Sequence, residues 1–317
     1  MRSPFVTEET ALKWKRYVLN PALVLNHNHQ SSSPFHSSTK EKHRDKFSLR
    51  GHHALVTGGN QGIGLALAAG LARAGADVAV FDISPPSTEF ESISTSHGIR
   101  TAYRMVDVSC VPALKQAFED TIMPFCGDGG LDICITAAGI NQVKDFLDTE
   151  EADFDKLINV NVKGVYFTCQ LAAQAMVRSN SAPSEIKKVI SNGSENESKR
   201  KSKSIIVIAS TASYVAARTH NSSIYAATKS AVRGMVSEIA KELGRSGIRI
   251  NSISPGYTLT NMTRGYPDLI KQWQSDTMLG FIGMPEDYVG ASLYLASNAS
   301  RYVTGQDILI DGGSTKW

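Results

Sequence analysis

Charge of one sign, thiols and long apolar runs are all scarce in this chain. Lys and Arg number 33 and Asp and Glu 30, so the formal charge is only +3. One segment accounts for it. Residues 177–204 hold Arg178, Lys187, Lys188, Lys199, Arg200, Lys201 and Lys203 against Glu185, Glu195 and Glu197. The remainder is close to neutral, which excludes a protein-wide basic field for nucleic acid. The cysteines are Cys110, Cys126, Cys134 and Cys169. They form no C-x-x-C pair and have no histidine companions at ligand spacing, so no metal is expected. Their isolation fits a reducing compartment. No run of 18 apolar residues occurs, and no membrane span is expected. The N-terminus lacks the apolar core of a signal peptide, and Arg2 is followed by Glu8 and Glu9, against a mitochondrial address. A cytoplasmic protein is expected, with a mitochondrial one left open.

What the chain does have is apolar substance. Hydrophobic residues make up 42% and charged residues 20%, enough for a substantial core and unlike a disordered chain. Residues 1–50 read as an extension, largely unordered. Thr7 can cap a short helix stopped at Pro21, and Asn26 to Lys46 is polar and rich in Ser and His. Residues 51–317 alternate strand and helix patterns. Strands are predicted at 54–56, 77–81, 103–107, 131–136, 205–208, 248–253 and 307–310. Helices are predicted at 64–74, 154–177 and 225–243. Continuous Val/Ile strands alternating with helices predict a single α/β domain, a doubly wound parallel sheet of the Rossmann type. A polar insertion at about 179–203 interrupts it and is expected to be disordered.

Two motifs carry the chemistry. Thr57-Gly58-Gly59-Asn60-Gln61-Gly62-Ile63-Gly64 lies between a strand and a helix. Such a turn aims backbone N–H groups and a helix dipole at an anion, which suits the pyrophosphate of a dinucleotide. Asp82 closes the second strand, where a carboxylate accepts both adenosine ribose hydroxyls and repels a 2′-phosphate. No Arg or Lys lies in residues 59–61, so NAD is expected, with NADP possible. Tyr225-Ala226-Ala227-Thr228-Lys229 sets a phenol and an ammonium four residues apart, on one helix face. A tyrosine of ordinary pKa, about 10, is a poor base at neutral pH. The ammonium is expected to lower that pKa and make Tyr225 a usable acid/base. Ser210, fifteen residues earlier at the end of the fifth strand, is the candidate to hold the substrate oxygen, with Thr211 and Ser213 as competitors.

Together these stretches resemble the classical short-chain dehydrogenase/reductase family over about residues 50–317. The glycine turn is similar to its T-G-x-x-x-G-I-G. Asp107-Val108 resembles the pair that holds adenine, and Asn161-Val-Lys-Gly164 resembles N-x-x-G. The resemblance implies a tetrad of Asn161, Ser210, Tyr225 and Lys229, with Asn161 stabilising a helix kink and ordering a relay water. It implies that Lys229 also binds the nicotinamide ribose. Pro255-Gly256-Tyr257-Thr258-Leu259-Thr260 resembles P-G-x-x-x-T, so Pro255, Gly256, Thr258 and Thr260 are expected at the cofactor. Ala138 and Gly139 are expected there too, although the family's N-N-A-G reads Thr136-Ala137-Ala138-Gly139 here. Thr304-Gly305 and Asp311-Gly312-Gly313 resemble the closing strand at an oligomer interface, implying a homodimer or homotetramer.

The expected activity is NAD(H)-dependent interconversion of a secondary alcohol and a ketone, with a small molecule as partner. The long Ser210–Tyr225 connection and the Trp317 ending resemble fungal arabinitol, sorbose and xylulose enzymes. Specificity is expected from residues 214–220 and 261–281, with Thr219, His220, Asn221 and Ser222 as a polar wall. Trp273, Met278 and Phe281 form either an apolar lid or a packed surface helix. The alternatives are an NADP-dependent ketoreductase of secondary metabolism and a non-catalytic dinucleotide sensor.

Overall fold

The computed structural model describes residues 46–178, 203–265 and 267–316. The expectations for the bulk of the N-terminal extension, for nearly all of the insertion and for Trp317 fall outside these residues. Seven parallel strands run in the order β3-β2-β1-β4-β5-β6-β7. They are β1 (His53–Thr57), β2 (Asp77–Asp82), β3 (Thr101–Met105), β4 (Ile133–Thr136), β5 (Lys203–Ile208), β6 (Ile248–Pro255) and β7 (Asp307–Ile310). Every residue of β4, β5 and β6 is buried, as continuous apolar strands covered on both faces require.

Side chains alternate across the pleat and feed two cores. Leu55, Phe81, Cys134 and Val207 face one layer, built by α3 (Val111–Ala117), α6 (Val165–Arg178) and α7 (Ser223–Leu243). Val56, Val80, Ile135 and Ile206 face the other, built by α1 (Gly62–Arg73), α2 (Thr88–His97) and α9 (Val289–Ala296). Cys134 and Cys169 are both buried in the first core, and burial pushes both thiols up.

Several boundaries move. Leu49 is fully buried, and its N–H donates to Ala74 O at 2.9 Å, so the folded domain begins before residue 51. Lys203 and Arg178 lie within elements, not in the insertion. Lys203 is drawn in because its ammonium is buried beside Asp132 (3.7 Å) and donates to Leu131 O at 3.0 Å. The third strand ends at Met105, which leaves Asp107 in the turn beyond it. The single helix expected at 154–177 is three pieces. α5 (Glu151–Ile158) passes into a wide π turn (Asn159–Gly164) and then α6. Polar or short helices escaped the apolar period: α2, α3, α4 (Met123–Cys126), α8 (Pro267–Ser275) and α9.

The order reverses between β1 and β4. Crossovers from β1 and from β4 therefore leave in opposite directions, and a crevice opens at the carboxyl ends of these strands. The functional motifs converge on that end.

Candidate active site

A cavity of about 730 Å³ lies along this edge. At one end the glycine turn brings α1 against the sheet. Gly58 has φ +68, and a Cβ there would sit 2.6 Å from the Ala138 backbone. A Cβ on Gly64 would sit 2.0 Å from Gly58 O. Only glycine allows both approaches. Gly58, Gln61, Gly62, Ile63, Gly64, Asp82, Asp107, Val108, Ala138, Gly139, Pro255, Gly256, Thr258 and Thr260 all line the cavity. The cradle fits a dinucleotide: free amides at a helix start, a narrow floor, and a carboxylate at the far end.

Asn60 does not face the cavity. Its buried side chain donates to Ser84 Oγ (3.0 Å) and Pro85 O (2.8 Å) and accepts from Ser87 N (2.7 Å). It fastens the loop after β2 to the glycine turn. Asp82 accepts from Asn60 N and from Ser84 N, each at 3.2 Å, and from Ser84 Oγ at 3.0 Å. A satisfied, buried amide cannot be told from a ligand-facing one by motif position.

At the other end Ser210, Tyr225 and Lys229 meet. Ser210 leaves β5 in extended conformation (φ −172) and its Oγ accepts from Ala212 N at 3.1 Å. Its side chain shares the cavity wall with the Tyr225 phenol and acts to lower the pKa of that phenol. Ser213 is turned away, donating to Ser210 O at 2.7 Å, while Thr211 lines the cavity. Lys229 Nζ donates to Ile208 O at 2.8 Å and lies 5.6 Å from the Tyr225 ring centroid.

One electrostatic expectation is reversed. Burial raises the Tyr225 pKa above its ordinary value, with the Ser210 side chain acting the other way. Burial also lowers Lys229, to about 8. Removing both groups from water disfavours both charged forms.

Asn161 is fully buried in the π turn and lines no part of the cavity. Its Oδ1 accepts from Ile140 N at 2.9 Å. Its Nδ2 donates to Ile140 O at 2.8 Å and to Thr228 Oγ1 at 3.1 Å. Thr228 in turn donates to Tyr225 O at 2.8 Å. The amide thus ties the segment after Gly139 to the helix that carries Tyr225. Gly164 makes the turn possible, since a Cβ there would meet Val108 Cγ2 at 2.9 Å. The departure at Thr136 leaves a mark: its buried hydroxyl has no hydrogen-bond partner among the described residues.

The specificity segments divide. His220 and Ser222 line the cavity. Thr219 instead accepts from Trp273 Nε1 (2.8 Å), and exposed Asn221 donates to Asp145 Oδ1 (2.7 Å). Trp273 is buried at the cavity wall, whereas Met278 and Phe281 are half exposed and do not line it. Arg218, Leu269 and Asp276 line it from within the segments singled out by sequence. Asn141 and Val143 line it too, with adjacency to Gly139 as their one signal. Among the described residues no group of His, Cys, Asp and Glu is arranged to hold a metal, and no helix is long and apolar enough to cross a membrane.

Comparison with known proteins agrees with this geometry. The short chain dehydrogenase family matches residues 52–269. The sorbose reductase of Candida albicans is 32% identical over 275 residues, 86% of this chain and 89% of that protein. The 2-dehydro-3-deoxy-D-gluconate 5-dehydrogenase of Dickeya dadantii is 33% identical, over 84% of this chain and 96% of that one. The crystal structure of a gluconate 5-dehydrogenase from Burkholderia cenocepacia, in complex with NADP and tartrate, superposes with a TM-score of 0.73. It is 29% identical and covers 87% of this chain and 99% of its own. The chain belongs to the short-chain dehydrogenase/reductase family and is an NAD(P)-dependent oxidoreductase acting on alcohol and ketone carbons.

Proposed function

We propose that this enzyme interconverts a polyol and its ketose, with NAD(H) preferred. The observation that carries the chemistry is the meeting of Ser210, Tyr225 and Lys229 on one wall of a dinucleotide-shaped cradle. A bound nicotinamide supplies or takes the hydride. Tyr225 gives a proton to the carbonyl oxygen in reduction and takes one from the hydroxyl in oxidation. Ser210 donates to the same oxygen and orients it. Lys229 binds the nicotinamide ribose and holds the proton path open behind the phenol. Asn161 positions the helix of Tyr225 through Thr228. The glycine turn takes the pyrophosphate, and Asp107 with Val108 takes the adenine.

Two observations support the finer reading. At the adenosine end Asp82 lines the cavity, while the Arg and Lys that line it are Arg218 and Lys229, both from the substrate-end segments. Among the described residues lining this end, a 2′-phosphate would face a carboxylate with no cation to meet it. At the substrate end Arg218, His220, Ser222 and Asp276 offer donors and acceptors for several hydroxyls. A site built that way rejects analogues that lack them, because its own polar groups are left unpaired. The similarity to the sorbose reductase points the same way. A screen of pentitols, hexitols, ketoses and cyclic apolar ketones, followed by NADH and NADPH absorbance, tests both halves. Preference for the apolar ketone overturns the polyol reading, and preference for NADPH overturns the reading of Asp82.

A further inference from the structure

The relatives include enzymes named for neutral sugars and for sugar acids, and the cavity holds an ion pair that bears on that choice. Beyond Tyr225 it is closed by the loop before α7 and the end of α8. Arg218 from the first and Asp276 just past the second form an ion pair, Nη1 to Oδ1 at 3.7 Å. The Arg218 side chain is 61% exposed and that of Asp276 only 19%, and both line the cavity.

This pair stands on a rigid support. Tyr257 stacks on Trp273, rings 4.9 Å apart and 9° from parallel. Trp273 Nε1 donates to Thr219 Oγ1 at 2.8 Å, and the same Thr219 oxygen lies 3.2 Å from His220 Nδ1. His220 meets the Trp273 ring edge-on at 5.8 Å. Loop and helix are therefore held together around the pair.

The local balance of charge decides what fits. Burial holds His220 below its ordinary pKa, so it adds no cation at neutral pH. Lys229 is committed to Ile208 O and to the reacting end. Among the described residues lining this end, the remaining cation is Arg218, which already faces the more buried Asp276. A substrate carboxylate reaching Arg218 is brought against a second carboxylate. A hydroxyl there can donate to Asp276 and accept from Arg218 without any such clash.

We propose that Asp276 is a specificity-determining residue that accepts a distal hydroxyl of a neutral substrate and excludes substrates bearing a carboxylate. This rests on the alcohol/ketone reading above and deepens it.

The test compares matched neutral and acidic probes, arabinitol against arabinonate, by kcat/KM and by calorimetric binding to the full-length enzyme with cofactor present. Wild type should favour the neutral member. Asp276→Asn keeps the shape and should raise the acid-to-neutral ratio about tenfold or more, the size of one relieved like-charge contact near a protein surface. Arg218→Gln should lower that ratio further. Wild type taking the acid as well as the polyol overturns the proposal. So does an unchanged ratio in a folded Asp276→Asn enzyme. If that variant does not fold, Arg218→Gln decides alone: better acid binding than in wild type overturns the proposal. If neither sugar probe is bound or turned over, the polyol reading fails. The charge rule is then read with cyclohexanone against 4-oxocyclohexanecarboxylate, by the same criteria.

Discussion

Replacing Asn161 by leucine asks how much of the fold's stability passes through one buried amide. The perturbation removes three hydrogen bonds, at 2.9, 2.8 and 3.1 Å, while keeping the branched shape of the side chain. Two of them satisfy the backbone N–H and C=O of Ile140, and neither group can leave with the side chain. Each hydrogen bond contributes about 1 kcal/mol net, and a buried group left without a partner costs about 1–3 kcal/mol. The expected loss is therefore about 3–5 kcal/mol. At about 2–4 °C per kcal/mol for a domain of this size, the melting temperature should fall by roughly 6–20 °C. Thr228→Ala breaks the third bond and the one from Thr228 to Tyr225 O, leaves both Ile140 groups satisfied, and should cost about 1–2 kcal/mol. Calorimetric melting of both variants, with urea titration at 25 °C, reads the difference. An Asn161→Leu enzyme melting within about 1 °C of wild type would refute the reasoning, because it would mean that the π turn does not depend on this amide.

Tyr225→Phe should lower turnover by roughly 10²–10⁴ while calorimetry shows NADH still binding, since the proton and not the cradle is lost; wild-type-like turnover removes Tyr225 from the mechanism. Asp82→Ser combined with Ile83→Arg should move preference toward NADP(H), because the carboxylate is replaced by a cation on an exposed neighbour, and the ratio of kcat/KM for the two cofactors measures it. Thr136→Val should leave stability unchanged or raise it by about 1 kcal/mol, since it deletes a buried hydroxyl with no described partner; a clear loss in urea melts would reveal one. With the Tyr225 pKa raised by burial, kcat/KM for alcohol oxidation should climb about tenfold per pH unit from neutral pH upward; a plateau already reached below pH 7 would contradict this.

The sheet was legible because its strands are continuous apolar runs, and all seven predicted strands exist. The helices were legible only where apolar residues recur, as in α1 and α7. α2 reads Thr88-Glu-Phe-Glu-Ser-Ile-Ser-Thr-Ser-His97 and buries only Phe90 and Ile93, too few contacts to show a period. The π turn was invisible to periodicity, because Asn159-Val-Asn-Val-Lys-Gly164 continues a helical pattern. What breaks the pattern is the tertiary demand of Asn161 for Ile140 and the close approach of Gly164 to Val108. Lining positions were legible as motifs, but orientation was not. Asn60, Thr219 and Asn221 sit where the sequence put them, yet each is occupied by a neighbour that lies far away in the chain.

The same gap explains the Tyr225–Lys229 pair. Spacing on a helix predicts proximity, and proximity of an ammonium predicts a lowered phenol pKa. Burial is a property of the whole fold, and here it acts on both partners at once. It raises the phenol and brings the ammonium down to about 8. With the phenol protonated at neutral pH, the pair is set to donate a proton, which favours ketone reduction. Oxidation needs the phenolate, and of the groups around it the Ser210 hydroxyl is the one that lowers the cost of forming it. Ser210 therefore does two things by one contact. In the proposed mechanism it orients the substrate oxygen, and it lowers the cost of forming the Tyr225 phenolate.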